Sequence, residues 1–397
     1  MSKQIRLKPT DAAKYGLEIN KGERYRVSEE LYDKIVFELG RPNKRKFKKV
    51  IRRLDKNGIE IGSIEKLQSK PIQTPEGFEI IKISTSKTTG QQWVQYAPKA
   101  KEKEIKDFDF EAIIKKHVNP VKIKAAPKRK YSSDFQTVTI TDVHIGMDTD
   151  KYKNSMYAVE WNKEEVLKSA AEIVESVIKD ITAPILYVDE LGDLLDGYNA
   201  KTTRGGHDLP QNMTNEEAFD TALSFKMALC DNLVQHFEKV VFNNICNDNH
   251  AGAFGYFVNS SFKSIAELKY NTEVNNYRQF INHYYVNDIC FVITHGKDDK
   301  SLKFGFKPDL KPPAIEKIDQ YCKNNDIYKI AKLIVFKKGD SHQCLLDMAS
   351  SDDFYYFNYP ALSPSSQWVQ NNFKKGRRGF VKESYNGVNV VIEPVFK

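Results

Sequence analysis

From residue 135 onward the chain alternates between two periods. Thr137-Val138-Thr139-Ile140-Thr141 is a β-rich run, and strand-length apolar segments follow at 184–188, 240–245, Ile289–Thr294 and 331–337. Helical patterns lie between the earlier ones. Asn162 with Glu165 opens an amphipathic helix carrying Val166, Ala170, Val174, Val177 and Ile181. Thr214 with Glu217 opens a second, extending to about His236. Strands alternating with helices of this length predict an α/β body. The chain closes in β-like segments, with Tyr385-Asn386-Gly387 as a tight turn.

The front reads differently. Ser28 can cap a helix through Leu31, Ile35, Val36 and Leu39, stopped by Gly40 and Arg41-Pro42. A second helix starts at Asn43, places Phe47, Val50, Ile51 and Leu54 on one face, and ends at Asn57-Gly58. Its other face carries Lys44, Arg45, Lys46, Lys48, Lys49, Arg52 and Arg53. A hairpin follows, with strands over 78–85 and 91–96 joined by Ser86-Lys87-Thr88-Thr89-Gly90. Two helices, the second basic, followed by a two-stranded wing resemble a winged helix-turn-helix. Such a module can lay a helix in a major groove, with lysine and arginine on phosphates fixing its register. A small helical domain with a solvated lysine face gives the same pattern. Residues 98–134 are charged, contain Pro98, Pro120 and Pro127, and have few large apolar side chains outside 108–114. They read as a linker. The expected organisation is a small basic α+β domain over 1–97, binding nucleic acid, a linker over 98–134, and an α/β body over 135–397.

Composition narrows the class. At 40% hydrophobic and 29% charged, the 397 residues are too apolar for a disordered chain and too polar for an integral membrane protein. The longest apolar runs are strand-sized, so no spanning helix is expected. The opening Met-Ser-Lys-Gln-Ile-Arg lacks the apolar core of a secretion signal. Five scattered cysteines (Cys230, Cys246, Cys290, Cys322, Cys344) without a CxxC pair argue against a disulfide scaffold or a zinc knuckle. A soluble protein of a reducing cytoplasm is expected. Charge is unevenly placed: residues 1–130 hold 32 Lys and Arg against 17 Asp and Glu, the remainder 29 against 36. A basic front on a mildly acidic body suits a polyanion, although lysine-rich surface also serves solubility alone.

Each of the five strands in the body ends in groups that bind hard metal ions. The first leads to Asp142-Val143-His144, the second to Gly192-Asp193-Leu194-Leu195-Asp196-Gly197, and the third to Asn247-Asp248-Asn249-His250. The fourth stops at His295-Gly296 and the fifth at Gly339-Asp340-Ser341-His342. Singly, each motif occurs by chance, but five of five at strand ends is another matter, because ligands gather at the carboxyl ends of strands. Asp142 and His144, two apart, share a face if strand geometry persists through the motif.

In this order the motifs resemble those of the calcineurin-like metallophosphoesterases: DxH, GDxxD, GNH(D/E), an isolated His-Gly, and GHxH. The resemblance covers about residues 136–345. It lies nearest the DNA-repair exonuclease branch and the phosphoesterases of bacteriophage genomes, with a fainter similarity at Ser363-Pro364-Ser365-Ser366-Gln367-Trp368. It implies a metallophosphoesterase β-sandwich flanked by helices, in a bacterial or phage-infected cell. It also implies two divalent ions, Mn²⁺ first and Mg²⁺ or another ion as alternatives. Asp142, His144 and His342 would hold one ion and Asn249, His295 and Asp340 the other. Asp193 would bridge them, and His250 would act on the scissile phosphate without being a ligand. Two ions about 3.5–4 Å apart can generate a nucleophile, polarise the phosphoryl oxygens and stabilise an in-line displacement. The implied activity is hydrolysis of nucleic acid, foremost DNA. A nucleotide phosphodiesterase or phosphoprotein phosphatase could use the same centre, and a homodimer is possible since nucleases of this superfamily often pair.

Two positions depart from the pattern. Asp248 stands where the family has Gly, and Asp tolerates left-handed backbone better than most residues. Asp340 replaces the first His of GHxH; carboxylate for imidazole favours harder ions. If that change disables the second site, the chain would instead be a DNA-binding adaptor on a decayed phosphoesterase body. Arg204, on the polar loop with His207, and Arg377-Arg378 are further candidates for touching a nucleic-acid backbone, each with solvated surface as its plainer reading. No Walker loop, GxSxG elbow or HExxH is present.

Overall fold

The computed structural model describes residues 2–6, 17, 24–38, 78–85, 92–98, 110–118, 129–149, 159–296, 308–372 and 376–397. The chain divides into two compact units, Met1–Glu104 and Ile105–Lys397.

In the first unit, β1 (Ser2–Arg6) pairs antiparallel with β2 (Arg24–Ser28), a pairing the sequence patterns did not suggest. β2 runs straight into helix α1 (Glu29–Glu38), whose first turn is capped as expected: the Leu31 N–H donates to Ser28 Oγ at 3.2 Å. Val27 and Ile35 are buried. β3 (Phe78–Thr85) and β4 (Gln92–Pro98) form the expected antiparallel hairpin, with a register shift between Ile80 and Lys82. The second helix and its basic residues Lys44, Arg45, Lys48, Lys49, Arg52 and Arg53 lie outside the described residues.

The second unit begins within the stretch read as a linker, where α2 (Phe110–Val118) packs Ile113 and Ile114 on the core. Then come β5 (Phe135–Ile140), α3 (Lys163–Lys179), β6 (Ile185–Glu190), α4 (Asn215–Leu233), β7 (Lys239–Ile245), α5 (Ala253–Lys269) and β8 (Glu273–Tyr277). β9 (Ile281–Val286), β10 (Ile289–Thr294), α6 (Pro312–Asn324), α7 (Ile327–Ile330) and β11 (Leu333–Lys338) follow. The chain ends with β12 (Leu345–Asp347), β13 (Tyr355–Asn358), α8 (Gln367–Asn372), β14 (Gly379–Asn386) and β15 (Asn389–Phe396). Both helix starts read from sequence are present: Asn162 accepts from the Glu165 N–H, and Thr214 with Glu217 forms a complete capping box.

Among the described residues, the strands of the second unit form two sheets. One has the order β15-β14-β5-β6-β7-β8, the other β12-β13-β11-β10-β9. The β5-β6-β7-β8 run is parallel, as are β10-β11 and β11-β13, while β9, β12, β14 and β15 pair antiparallel. Period-two alternation builds the layers. Along β10, Ile289, Phe291 and Ile293 enter a core with Phe135, Val335, Val381 and Tyr385 that lies between the sheets. Cys290 and Val292 point the other way, onto Ile318, Cys322 and Ile327 of α6 and α7. On the far side of the six-stranded sheet, Val138, Ile140, Leu186 and Val188 pack on α3, α4 and α5. The result is a mixed α/β sandwich of two sheets flanked by helices. β10 is apolar throughout because both its faces are covered.

One polar knot lies inside the inter-sheet core. Lys337 Nζ contacts Asp189 Oδ2 at 2.9 Å and Glu383 Oε2 at 2.8 Å, and donates to Thr137 and Thr139 hydroxyls at 3.2 and 3.1 Å. Tyr284 donates to Asp189, and Tyr359 and Tyr385 to Glu383. Lys337, Asp189 and Glu383 are fully buried. Every charge here is paired and hydrogen-bonded, which is the condition for its burial. Asp189 therefore joins the two sheets.

Among the described residues, no helix is long and apolar enough to cross a membrane.

Candidate metal centre

The parallel strands of both sheets direct their carboxyl ends to one edge, and the five motifs follow directly after β5, β6, β7, β10 and β11. Asp142 and His144 do converge, but not by the strand alternation expected. β5 ends at Ile140, and both residues sit at positive φ, 52° and 47°. Asp193 (51°), Asp340 (66°) and His342 (55°) repeat the device. Asp and His are among the residue types that enter this region most readily, although each still carries strain. Backbone bonds hold the first two loops side by side. Asp142 N–H donates to Gly192 O, His144 N–H to Asp193 O, and Ile145 N–H to Leu194 O, at 2.9–3.1 Å. Gly192, at φ 97°, is required there, since a Cβ would sit 3.1 Å from the His295 ring.

Three groups of donors each lie with their atoms within 4.8 Å of one another: Asp142, His144 and His342; His144, Asp193 and His250; and Asp142, Asp193 and His295. His144 Nε2 and His342 Nε2 face each other at 3.3 Å, and Asp142 Oδ1 lies 3.2 Å from His342 Nε2. Asp193 Oδ2 is 3.0 Å from His295 Nε2, 3.7 Å from His250 Nε2 and 3.9 Å from His144 Nε2. Asp193 thus occupies the middle of the array. Asn249 Oδ1 is buried without a partner. Asp340 belongs to none of the three groups; its Oδ1 stands 3.9 Å from His295 Nε2, and its N–H donates to Asp142 Oδ2 at 3.1 Å.

The surroundings orient these donors. The His295 Nδ1–H donates to Leu191 O at 2.9 Å, which turns Nε2 toward Asp193. His250 Nδ1 is bound in the same way to Asp196 O at 2.8 Å. Asp196 also places Oδ1 3.1 Å from His144 Nδ1 and 3.4 Å from His250 Nδ1, so one carboxylate stands beside two imidazoles. Glu190 Oε1 accepts from the Gly192 N–H at 2.8 Å, and Lys226 and Asn259 contact its other oxygen.

Electrostatics follow from this crowding. Burial alone would raise the Asp142 and Asp193 carboxyls, but the imidazoles around them hold both well below the usual carboxylate range. Burial would lower His144, His250 and His295, yet the neighbouring carboxylates raise all three, His295 to about 10. The clustered carboxylates therefore favour positive charge among them, and protons would compete with a metal ion for the same atoms.

The donor set fits divalent ions. Asp142 Oδ1 and His295 Nε2 face their neighbours at ion-pair distance without hydrogen-bond geometry, and Asn249 Oδ1 has no partner at all. Such buried, convergent and unsatisfied groups are otherwise expensive. The mixture of carboxylate, amide and imidazole is of the kind that binds divalent ions.

Some residues lie elsewhere than the sequence implied. Asp248 is not left-handed. It keeps an ordinary backbone and uses its carboxylate instead, accepting from Ala251 and Gly252 N–H at 2.8 and 3.0 Å and from Asp193 N–H at 3.2 Å. Burial first, then the Asp193 charge, pushes Asp248 up to about 6. Arg204 is drawn to the site: its N–H donates to Asn249 O at 3.1 Å and its guanidinium to Asn247 Oδ1 at 2.9 Å. Gly376 packs so closely on the His342 carbonyl that a Cβ would overlap it, bringing Arg377 and Arg378 beside the fifth motif. Their guanidiniums lie over Phe396 at 4.6 Å and Trp161 at 5.7 Å. The supporting role of Asp196 went unassigned in the sequence, although the GDxxD spacing contains it.

No family model matches the sequence, and no curated protein does. Solved structures with some likeness include a Streptococcus pneumoniae protein described as conserved, uncharacterized and a predicted phosphoesterase. It shares 9% identity over 66% of this chain and 88% of its own, at a TM-score of 0.29. GAP50 of Plasmodium, described as the anchor in the inner membrane complex, gives 10%, 67%, 85% and 0.33. The calcineurin-like phosphoesterase YfkN of Bacillus subtilis gives 9%, 66%, 91% and 0.26.

Proposed function

We propose that the chain is a metal-dependent phosphoesterase of the calcineurin-like kind that hydrolyses phosphodiester bonds in DNA. The observation that carries the reading is the convergence of Asp142, His144, Asp193, His295 and His342 at one sheet edge, where Asp142 Oδ1 and His295 Nε2, with Asn249 Oδ1 of the third motif, are buried and unsatisfied. Asp142, His144 and His342 would hold one ion, and Asn249, His295 and Asp340 a second, with Asp193 shared between them. When bound, two Mn²⁺ ions would supply Lewis acidity and a nucleophile at neutral pH.

The chain's own groups do the rest. His250, tied through Nδ1 to Asp196 O, turns Nε2 into the site, where a protonated imidazole can donate to the leaving oxygen. The Asp196 and Leu191 carbonyls keep His250 and His295 in the tautomers that leave Nε2 facing inward. The excess of Lys and Arg in residues 1–130 supports a polyanionic substrate, held mainly through its phosphates.

Two outcomes test this division of labour. His250→Ala should lower turnover of an aryl phosphodiester by about 10²–10⁴-fold while Mn²⁺ content, measured by elemental analysis, stays near that of the parent. Loss of metal instead would make His250 a ligand. Deleting Met1–Glu104 should weaken DNA binding and flatten its salt dependence while sparing small-substrate cleavage. Unchanged DNA affinity would remove the front from the binding role.

A further inference from the structure

Beside the centre lies a surface that the proposed chemistry does not use. The segment after the second motif carries Tyr198, 46% exposed, whose ring meets Phe254 edge-on at 5.2 Å. Phe254 is in the first turn of α5, which starts three residues after His250. Phe257, one turn along the same helix face and 59% exposed, continues the patch. Tyr256 adjoins Phe257 at 6.4 Å and carries the Arg278 guanidinium 4.5 Å over its ring. Arg278 O accepts from Asn247 Nδ2 at 3.1 Å, and Asn247 Oδ1 accepts from Arg204. Four aromatic rings and two guanidiniums are thus joined through Asn247, within the third motif, to the edge of the donor array.

Phe254 packs on the core beneath and Tyr256 is half-buried, but the exposed rings of Tyr198 and Phe257 cost solvation free energy with no core contact in return. With Arg278 and Arg204 at one end of the row, beside the proposed phosphate site, they match what holds an unpaired nucleic-acid strand, with flat faces for bases and positive charge for the backbone. A phosphoprotein offers no series of planar groups at phosphate spacing, and in a duplex the base faces are covered. We infer that this rim stacks the bases of single-stranded nucleic acid as it enters the site. The inference rests on the phosphodiesterase reading and adds strand form to it.

The test is affinity of the full-length chain, with Mn²⁺ present, for a short phosphorothioate oligo(dT) and for an abasic oligonucleotide of equal length and charge. The parent should prefer oligo(dT) by about tenfold. Phe257→Leu and Tyr198→Leu, which keep apolar bulk and remove the ring, should erase most of that preference, and Phe257→Tyr should keep it. Equal binding of both oligonucleotides by the parent, or a preference untouched in both leucine variants, overturns the rim. Mn²⁺-dependent hydrolysis of p-nitrophenyl methyl phosphate separates the two ideas. Absent hydrolysis with base preference retained sinks the phosphodiesterase reading alone, and hydrolysis without base preference sinks the rim alone.

Discussion

Asp193→Asn should bring Mn²⁺-dependent hydrolysis of an aryl phosphodiester to background while the protein stays folded. Asp193 belongs to two of the three donor groups and lies within 4 Å of three imidazoles. An amide there keeps the shape but offers one neutral oxygen where a charged carboxylate could face two ions. Removing a group that merely supports a ligand typically costs about 10–100-fold; loss of a shared ligand should exceed that. The mutant should also bind less than half the parent's Mn²⁺ by calorimetry. Parent-like activity would end the assignment of Asp193, and with it the two-ion reading.

Lys337→Met should lower stability by about 3–5 kcal/mol, seen as a fall in melting temperature on the order of 10 °C. The substitution leaves Asp189 and Glu383 facing each other, fully buried, without the cation between them. Their tyrosine donors remain but cannot neutralise two charges. Denaturant titration would check this, and an unchanged midpoint would show that the sheets do not depend on the knot.

The same knot gives stability a pH window. Burial would raise Glu383, but Lys337 outweighs it and holds the carboxyl below its ordinary 4.5; its contribution is therefore present above that pH and lost on further acidification. Burial would lower Lys337, but Asp189 and Glu383 raise it above its ordinary 10.5, so its contribution is complete below that pH and lost only in stronger base.

Much of the second unit was legible because its local signals agree with its packing. Asn162 and Thr214 mark helix starts that exist, and Ile289–Thr294 is apolar throughout because both its faces are covered. Other elements gave weaker signals. α5 is preceded by Gly252, a cap without a side chain, and β9 is only partly buried along both faces until Val286. The motifs could be read because carboxylates and imidazoles after strands are conspicuous. How they converge could not, because it depends on backbone angles that no periodicity encodes. Nor could the partnership of Lys337 with Asp189 and Glu383, which joins residues 148 or fewer positions apart across two sheets.

The left-handed backbone at Asp142, His144, Asp193, Asp340 and His342 limits which substitutions the centre can accept. A position that favours Gly, Asn, Asp or His filters candidates twice, first by torsion and then by affinity for the ion. Exchanging imidazole for carboxylate at Asp340 passes the first filter without backbone cost. Recruiting a thiolate at these positions would not, so evolution toward a softer metal is obstructed by the main chain before coordination chemistry has any say.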